Sequence, residues 1–294
     1  MSRARPVVLH VGWPKTATTS MQVALFAQSG QFNYLGKYLP DHDFQNRDIH
    51  DLVWSCQMHG RAQWRETRDR LGTAITAAAA RGRKLPVLST ENMIHPWSQT
   101  PDVVAARLKE IVPAARVVMV IREQVSLLRS WYRWHGGYGQ YLFLNKLIDE
   151  PCELPLTLPE WMHFQFQAPD RNIIGCLDYD DVVAAYEEQY GAGQVHVLAY
   201  EQLIRDPQGF AEQLAPVLEV KPDLVRSAMT GAFENSETKA WDSRESGEPL
   251  PATMTADWKA KVHARFAAAN ARLEARRALG LGGYGYALAP AGAA

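Results

Sequence analysis

One lysine and three adjacent hydroxyl residues follow an apolar run in Pro6–Ser20 (PVVLHVGWPKTATTS). The apolar run predicts a buried strand, and a helical pattern follows over Thr18–Gln28. The first turn of a helix offers unpaired N–H groups and a partial positive charge, which favour a phosphate. Lys15 adds a mobile positive charge. Hydroxyl donors come from Thr18, Thr19 and Ser20. The pattern therefore predicts a phosphate-binding loop between a strand and a helix.

A plainer interpretation of this loop stays open. Thr18 could simply cap the helix, with Lys15 as a surface residue, because hydroxyl caps are common. The Walker pattern G-x-x-x-x-G-K-[ST] is absent, since Gly12 is the only glycine shortly before Lys15. An ordinary ATP or GTP site is therefore not expected.

The loop resembles the 5′-phosphosulfate loop of the sulfotransferases that use 3′-phosphoadenosine 5′-phosphosulfate (PAPS). That loop typically reads P-K-[TS]-G-T-[TS]-[SW]-L, and Pro14–Met21 reads PKTATTSM. The departure is Ala17, where the family usually has a glycine that lets the backbone approach phosphate; alanine is the smallest change. The resemblance implies donor-binding roles for Pro14, Lys15, Thr16, Ala17, Thr18, Thr19 and Ser20.

A second candidate phosphate site follows the apolar run Arg116–Ile121 (RVVMVI). Arg122 then stands at the carboxyl end of a predicted parallel strand, the edge where open α/β sheets bind ligands. Ser130 lies eight residues later on a predicted helix, so both side chains could reach one phosphate. A lone arginine at a strand end is otherwise more often a salt-bridged surface residue.

This segment resembles the same family's 3′-phosphate motif, R-x-P-x-x-R-x-x-S-x-Y. Arg122, Ser130 and Tyr132 match that motif. Gln124 replaces the usual proline, and Arg129 stands beside the usual position of the internal arginine. The resemblance implies that Arg122 and Ser130 hold the 3′-phosphate.

A third match lies in Val195–Leu203 (VHVLAYEQL), which resembles the late strand of the family ending in Y-E-x-L. The resemblance implies that Tyr200 lies near the adenine of the donor. A half-buried tyrosine at a strand end also packs well without any ligand, and that alternative stays open.

Sulfuryl transfer needs an in-line arrangement, stabilisation of the leaving oxygen and a base for the acceptor. Glu91 ends the predicted strand Leu85–Ser89 on the same sheet edge as Lys15, and the family places its base, a histidine or glutamate, at about this point. Glu91 could instead cap the following turn. His95 is the reserve candidate for the base, because a neutral imidazole suits the role. His10 lies inside the first strand and is expected in the core.

Apolar runs alternate with segments of helical spacing along the chain. The predicted strands are Pro6–Val11, Leu85–Ser89, Arg116–Ile121 and Val195–Ala199. The predicted helices are Thr18–Gln28, Trp64–Arg81, Pro101–Val112, Asp180–Tyr190 and one running through Trp258–Leu273. This alternation predicts an α/β fold, a central parallel sheet flanked by helices, and the resemblance implies the P-loop-NTPase-like sulfotransferase fold. No linker divides the chain, which predicts a single domain over residues 1–279 and a loose Gly/Ala-rich tail over 280–294.

The composition is that of an ordinary globular protein. The 294 residues include 31 Lys+Arg and 32 Asp+Glu, so neither nucleic acid nor a membrane surface is expected as a partner. Three scattered cysteines without a C-x-x-C pair predict neither a disulfide framework nor zinc. No apolar run approaches the ~20 residues needed to span a bilayer, and no secretory signal is visible, which favours a cytoplasmic location.

The sequence thus predicts a PAPS-dependent sulfotransferase that needs no metal. Its products would be 3′-phosphoadenosine 5′-phosphate (PAP) and a sulfated small-molecule or carbohydrate acceptor, modified at a hydroxyl or amine. The alternatives are a P-loop-like nucleotide-dependent kinase and a catalytically inactive nucleotide-binding scaffold. The acceptor, the oligomeric state and the role of the aromatic run at 131–143, which suits acceptor stacking and core packing equally, are left open.

Overall fold

A parallel β-sheet organises the computed structural model of the chain. The structure describes residues 6–36, 55–81, 83–94, 99–135, 156–167, 169, 173–232 and 251–290. Its strands are β1 (Val7–His10), β2 (Phe32–Tyr34), β3 (Leu85–Ser89), β4 (Ala115–Ile121) and β5 (Val195–Ala199). All strand pairs are parallel, in the order β2-β3-β1-β4-β5. The predicted α/β fold with a central parallel sheet is confirmed.

Helices connect and cover the strands. The α-helices are α1 (Thr18–Ser20), α2 (Arg61–Ala79), α3 (Pro101–Ile111), α4 (Gln124–His135), α5 (Leu158–Gln167), α6 (Tyr179–Tyr190), α7 (Tyr200–Arg205), α8 (Pro207–Leu218), α9 (Pro222–Ala232) and α10 (Ala256–Arg277). A π-helix, Met21–Ala27, continues α1, and 3₁₀ turns occupy Glu91–Met93, Ile173–Cys176, Ala192–Gln194 and Leu281–Tyr284. None of the described helices is both long and apolar enough to cross a membrane.

The chain divides into two compact units. The first comprises Met1–Ile121 and Tyr179–Phe233, and the second comprises Arg122–Asp178 and Glu234–Ala294. The single domain expected over residues 1–279 stays a prediction.

The first unit holds the sheet and its core. Every position of β1 and β3 is buried, as expected for inner strands with both faces covered. The π-helix, α8 and α9 pack with one face of the sheet around Phe26, Phe210 and Leu214. Because β1 lies between β3 and β4, the loops that follow β1 and β3 leave neighbouring strands at the same edge.

The second unit pairs α4 with α10. Gln124 begins α4 and exchanges two buried hydrogen bonds with Asn270 of α10: its amide donates at 2.7 Å and accepts at 3.2 Å. Residues 280–290 differ from the loose tail that their composition suggested. Leu281 and Tyr286 are buried, and the N–H of Ala289 donates to the carbonyl of Ala267 at 3.0 Å.

Candidate active site

The loop after β1 has an unusual backbone conformation. Lys15 and Ala17 both adopt the left-handed region, with φ values of 66° and 64°. This region costs a residue with a Cβ atom roughly 1–2 kcal/mol, and such strain clusters where a loop binds a ligand. Ala17 is the position where the related motif has glycine, and its positive φ gives a physical reason for that preference.

The loop is closed by its own side chains. The hydroxyl of Thr16 is buried and donates to the carbonyl of Trp13 at 2.5 Å. The indole of Trp13 is buried edge-on against the ring of Tyr179, with the centroids 4.8 Å apart. Thr16, predicted to bind the donor, therefore uses its hydroxyl proton to fix the turn around Pro14 and Lys15.

The helical segment after the loop begins at Thr18. Its first turn closes when the N–H of Met21 donates to the carbonyl of Ala17 at 3.0 Å. The N-cap position is Ala17, with no side-chain cap, so the alternative in which Thr18 merely caps the helix is wrong. Thr19 is exposed and Ser20 is half-buried, whereas Thr18 is buried. The π-helix that follows was not predicted, and such helices often occur at functional sites.

Glu91 lies against this helix start. The N–H of Thr90 donates to the carbonyl of His10 at 3.1 Å, which carries the pairing of β1 and β3 one residue beyond β3. Glu91 then begins the 3₁₀ turn, half-buried. The hydroxyl of Thr18 donates to Oε1 of Glu91 at 2.5 Å. The structure thus brings the predicted base to the predicted donor loop, while the reserve candidate His95 lies outside the described residues.

A buried polar cluster lies next to the loop that follows β1. Nδ1 of His10 and Oγ of Ser89 are 2.7 Å apart, and the amide of Gln22 donates to the same Oγ at 3.0 Å. Burial lowers the pKa of His10 to about 3, so the ring is neutral at pH 7. Nε2 of His10 has no hydrogen-bond partner among the described residues, and a Cβ placed on Gly12 would lie 2.9 Å from it. His10 is in the core as predicted; its partners Gln22 and Ser89 were not identified from the sequence.

In the second unit, Arg122 contacts a residue that sequence reasoning missed. Nε of Arg122 donates to Oγ of Ser126 at 2.9 Å. The carboxylate of Glu123 accepts from the N–H groups of Val125 and Ser126 at 2.9 and 2.7 Å, which holds the start of α4. Ser130 is half-buried one turn beyond Ser126. The four-residue spacing of 126 and 130 was the available signal, because such positions share one face of a helix, and Arg122 stands shortly before its first residue.

The aromatic candidates have different surroundings. Tyr200 begins α7 directly after β5, half-buried against the apolar core of the first unit. Trp131 and Tyr132 are buried, and the hydroxyl of Tyr132 donates to the carbonyl of Leu156 at 2.8 Å, so these two rings belong to the core of the second unit. The side chains of the remaining run, 134–143, lie outside the described residues.

Comparisons with known proteins identify the fold. The sequence matches no protein-family model and no curated protein. A sulfotransferase from Alicyclobacillus acidocaldarius aligns with a TM-score of 0.54 and 19% identity, over 96% of this chain and 99% of that one. The mouse sulfotransferase SULT7A1, complexed with PAP, aligns with a TM-score of 0.51 and 10% identity, over 96% of this chain and 90% of that one. The chain therefore has the sulfotransferase fold, as predicted.

Proposed function

We propose that the protein is a PAPS-dependent sulfotransferase that acts on a hydroxyl or amine of a small-molecule or carbohydrate acceptor. The observation that carries this proposal is the 2.5 Å hydrogen bond between Thr18, at the start of the phosphate-loop helix, and Glu91. Sulfuryl transfer needs a donor loop and a base in one place, and this bond joins the two candidates directly. The solved structure of mouse SULT7A1, which shares the fold, is complexed with PAP.

The loop suits an anionic donor. The left-handed conformations of Lys15 and Ala17 turn the chain between β1 and the helical segment that begins at Thr18. Successive N–H groups in such a turn, together with the first turn of a helix, favour negatively charged oxygens. Lys15 adds a full positive charge to this loop. PAPS, when bound, supplies the sulfuryl group and leaves as PAP.

Each candidate residue then has a defined task. The ammonium group of Lys15 and the N–H groups of residues 18–20 stabilise the charge that develops on the leaving 5′-phosphate. The carboxylate of Glu91 accepts the proton that the acceptor hydroxyl or amine loses as its oxygen or nitrogen bonds to sulfur. Arg122 and Ser130 are proposed to hold the 3′-phosphate and Tyr200 to contact the adenine. His95 is the alternative base.

Calorimetric titration with PAP, AMP and ATP tests the donor assignment. We expect the protein to prefer PAP, which carries the 3′-phosphate, and expect Arg122→Ala to lose that preference. Arg133→Ala, an exposed arginine of α4, the helix that follows Arg122, is the matched control and should bind PAP like the wild type. Binding of ATP as tight as that of PAP would favour the kinase alternative. A protein that binds none of the three nucleotides would contradict the proposed sulfotransferase function.

A further inference from the structure

Thr18 has one hydroxyl proton, and its recipient is a carboxylate. Oγ1 of Thr18 donates to Oε1 of Glu91 at 2.5 Å, and the residue is buried. A threonine hydroxyl can donate only one hydrogen bond. While this bond is in place, Thr18 cannot also donate to an oxygen of a bound phosphosulfate.

We propose that Thr18 is a positioning residue for Glu91, rather than a side-chain ligand of the donor. In this assignment, Thr18 fixes the carboxylate next to the donor loop. The donor is contacted by Lys15, by loop N–H groups and by the more exposed hydroxyls of Thr19 and Ser20. The inference rests on the proposed function, because it takes Glu91 as the base.

Packing around Thr18 favours this arrangement. A Cβ on Gly12 would lie 3.1 Å from the methyl carbon of Thr18, so the methyl group already fills the space beside Gly12. The hydroxyl then points to Glu91. The strands that lead to Thr18 and to Glu91 are also held together. β1 and β3 are paired up to His10 and Ser89, and the N–H of Thr90 donates to the carbonyl of His10.

A carboxylate that is held in position is a more effective general base than a mobile one. Catalysis by a base depends on its reaching the acceptor proton at hydrogen-bond distance, and small misplacements are costly. Thr18 would therefore affect the rate of transfer through Glu91, and would leave donor binding largely unchanged. A direct phosphate ligand would show the opposite pattern.

The first test is a double-mutant cycle on stability, which needs neither donor nor acceptor. Thr18→Val keeps the shape but removes the hydroxyl, and Glu91→Gln removes the charge. We expect the unfolding equilibrium constant of the double variant to differ about fivefold or more from the product of the single effects, because the two side chains interact. Effects that multiply within about twofold would overturn the inference. If Thr18→Val does not fold, Thr18→Ala takes its place in the cycle.

The second test separates donor binding from turnover. PAP affinity is measured by calorimetry, and PAPS turnover is followed as PAP formation with p-nitrophenol or water as the probe acceptor. We expect Thr18→Val to bind PAP within about twofold of the wild type and to lower kcat about tenfold or more with little change in the KM for PAPS. Thr18→Ser, which keeps the hydroxyl, should restore kcat.

The outcomes distinguish the two proposals. A tenfold loss of PAP affinity with kcat unchanged would make Thr18 a phosphate ligand and overturn the inference, while the sulfotransferase would stand. A wild-type protein that binds no PAP would overturn the proposed function, and an unchanged kcat in Glu91→Gln would remove Glu91 as the base. Where neither probe acceptor supports turnover, the stability cycle and PAP affinity decide. Thr73→Val is the matched control for Thr18→Val, since the exposed hydroxyl of Thr73 donates within its own helix to the backbone carbonyl of Asp69.

Discussion

The two segments that resemble donor-binding motifs depart from the family pattern in physically different ways. In the loop after β1, Ala17 stands where glycine is usual, yet it adopts the left-handed backbone, with φ of 64°. In the segment after β4, Gln124 stands where proline is usual, and its side chain forms a buried pair with Asn270. The first departure keeps the conformation and carries strain. The second contributes new contacts to the packing of its own unit.

The neighbouring residue Arg129 strengthens this comparison. It lies beside the usual position of the motif arginine, and its Nε donates to the carbonyl of Ala252 at 2.9 Å. Both departures in the second segment are thus used for packing, whereas Arg122 contacts Ser126. A motif position can therefore accept a different residue where the new side chain gains a structural partner, whereas a residue with a Cβ atom at positive φ carries backbone strain.

The largest expected effect is the fall in kcat when the positive charge of the donor loop is removed. Lys15→Ala removes the only full positive charge within Val11–Ser20. We expect kcat for PAPS turnover to fall about 10²–10³-fold, as when a group that stabilises the leaving charge is lost. Lys259→Ala, on the exposed side of α10, is the control for loss of a lysine and should leave turnover unchanged. Wild-type turnover in Lys15→Ala would remove this loop from the mechanism.

Restoring the family residue in the second segment should be destabilising. Gln124→Pro is compatible with the first position of α4 but removes both hydrogen bonds to Asn270. We expect the free energy of unfolding to fall by about 1–3 kcal/mol, because the buried amide of Asn270 loses its two hydrogen bonds to Gln124. Urea denaturation measures this change. Gln124→Ala should lose a similar amount; a Gln124→Pro variant as stable as the wild type would show that the pair contributes little.

The buried His10 beneath the donor loop should make stability depend on pH. Burial lowers its pKa to about 3 in the folded state, against an ordinary value of about 6.5 in the unfolded chain. Below pH 6.5 the unfolded state binds a proton that the folded state does not. The free energy of unfolding therefore decreases as the pH is lowered, by up to about 1.4 kcal/mol per pH unit. Above pH 6.5 this contribution is constant.

Between pH 6.5 and 5, carboxyl groups ordinarily keep their charge, so the slope in this window reports on the nine histidines, and its change in a His10 variant isolates the contribution of His10. His10→Asn, which keeps a donor or acceptor for Ser89, should have a flatter pH dependence there. His163→Asn, an exposed histidine in α5, should keep the wild-type slope. An unchanged slope in His10→Asn would mean that other groups dominate the titration.

Much of the fold was predictable because of burial. β1, β3, β4 and β5 are nearly continuous apolar runs, as expected for a parallel sheet with helices covering both faces. β2 was missed because its three residues are too few to show a pattern. The π-helix was missed because its buried residues Met21, Leu25 and Phe26 have the spacing of an ordinary amphipathic helix.

The site was predictable residue by residue but not as a set of contacts. Lys15 and Glu91 each follow a predicted strand, which was enough to nominate them. The bond between Thr18 and Glu91 joins residues 73 positions apart and depends on β1 lying next to β3. Strand order is a tertiary property that local patterns do not encode. The same holds for the pair formed by Gln124 and Asn270.

The smallest expected effect is a stabilisation, and it concerns the departure from the family pattern in the loop after β1. Ala17→Gly should raise the free energy of unfolding by about 1 kcal/mol, because glycine adopts a positive φ without the steric cost that alanine carries. Ala278→Gly, at φ of 50° after α10, should gain a similar amount. Ala77→Gly, exposed within α2, should instead lose about 1 kcal/mol. Urea denaturation of the three variants measures these changes. If Ala17→Gly is destabilising while Ala278→Gly is stabilising, then the packing of the Ala17 methyl against the apolar core outweighs the backbone strain, and the loop compensates for its departure much as the second segment does.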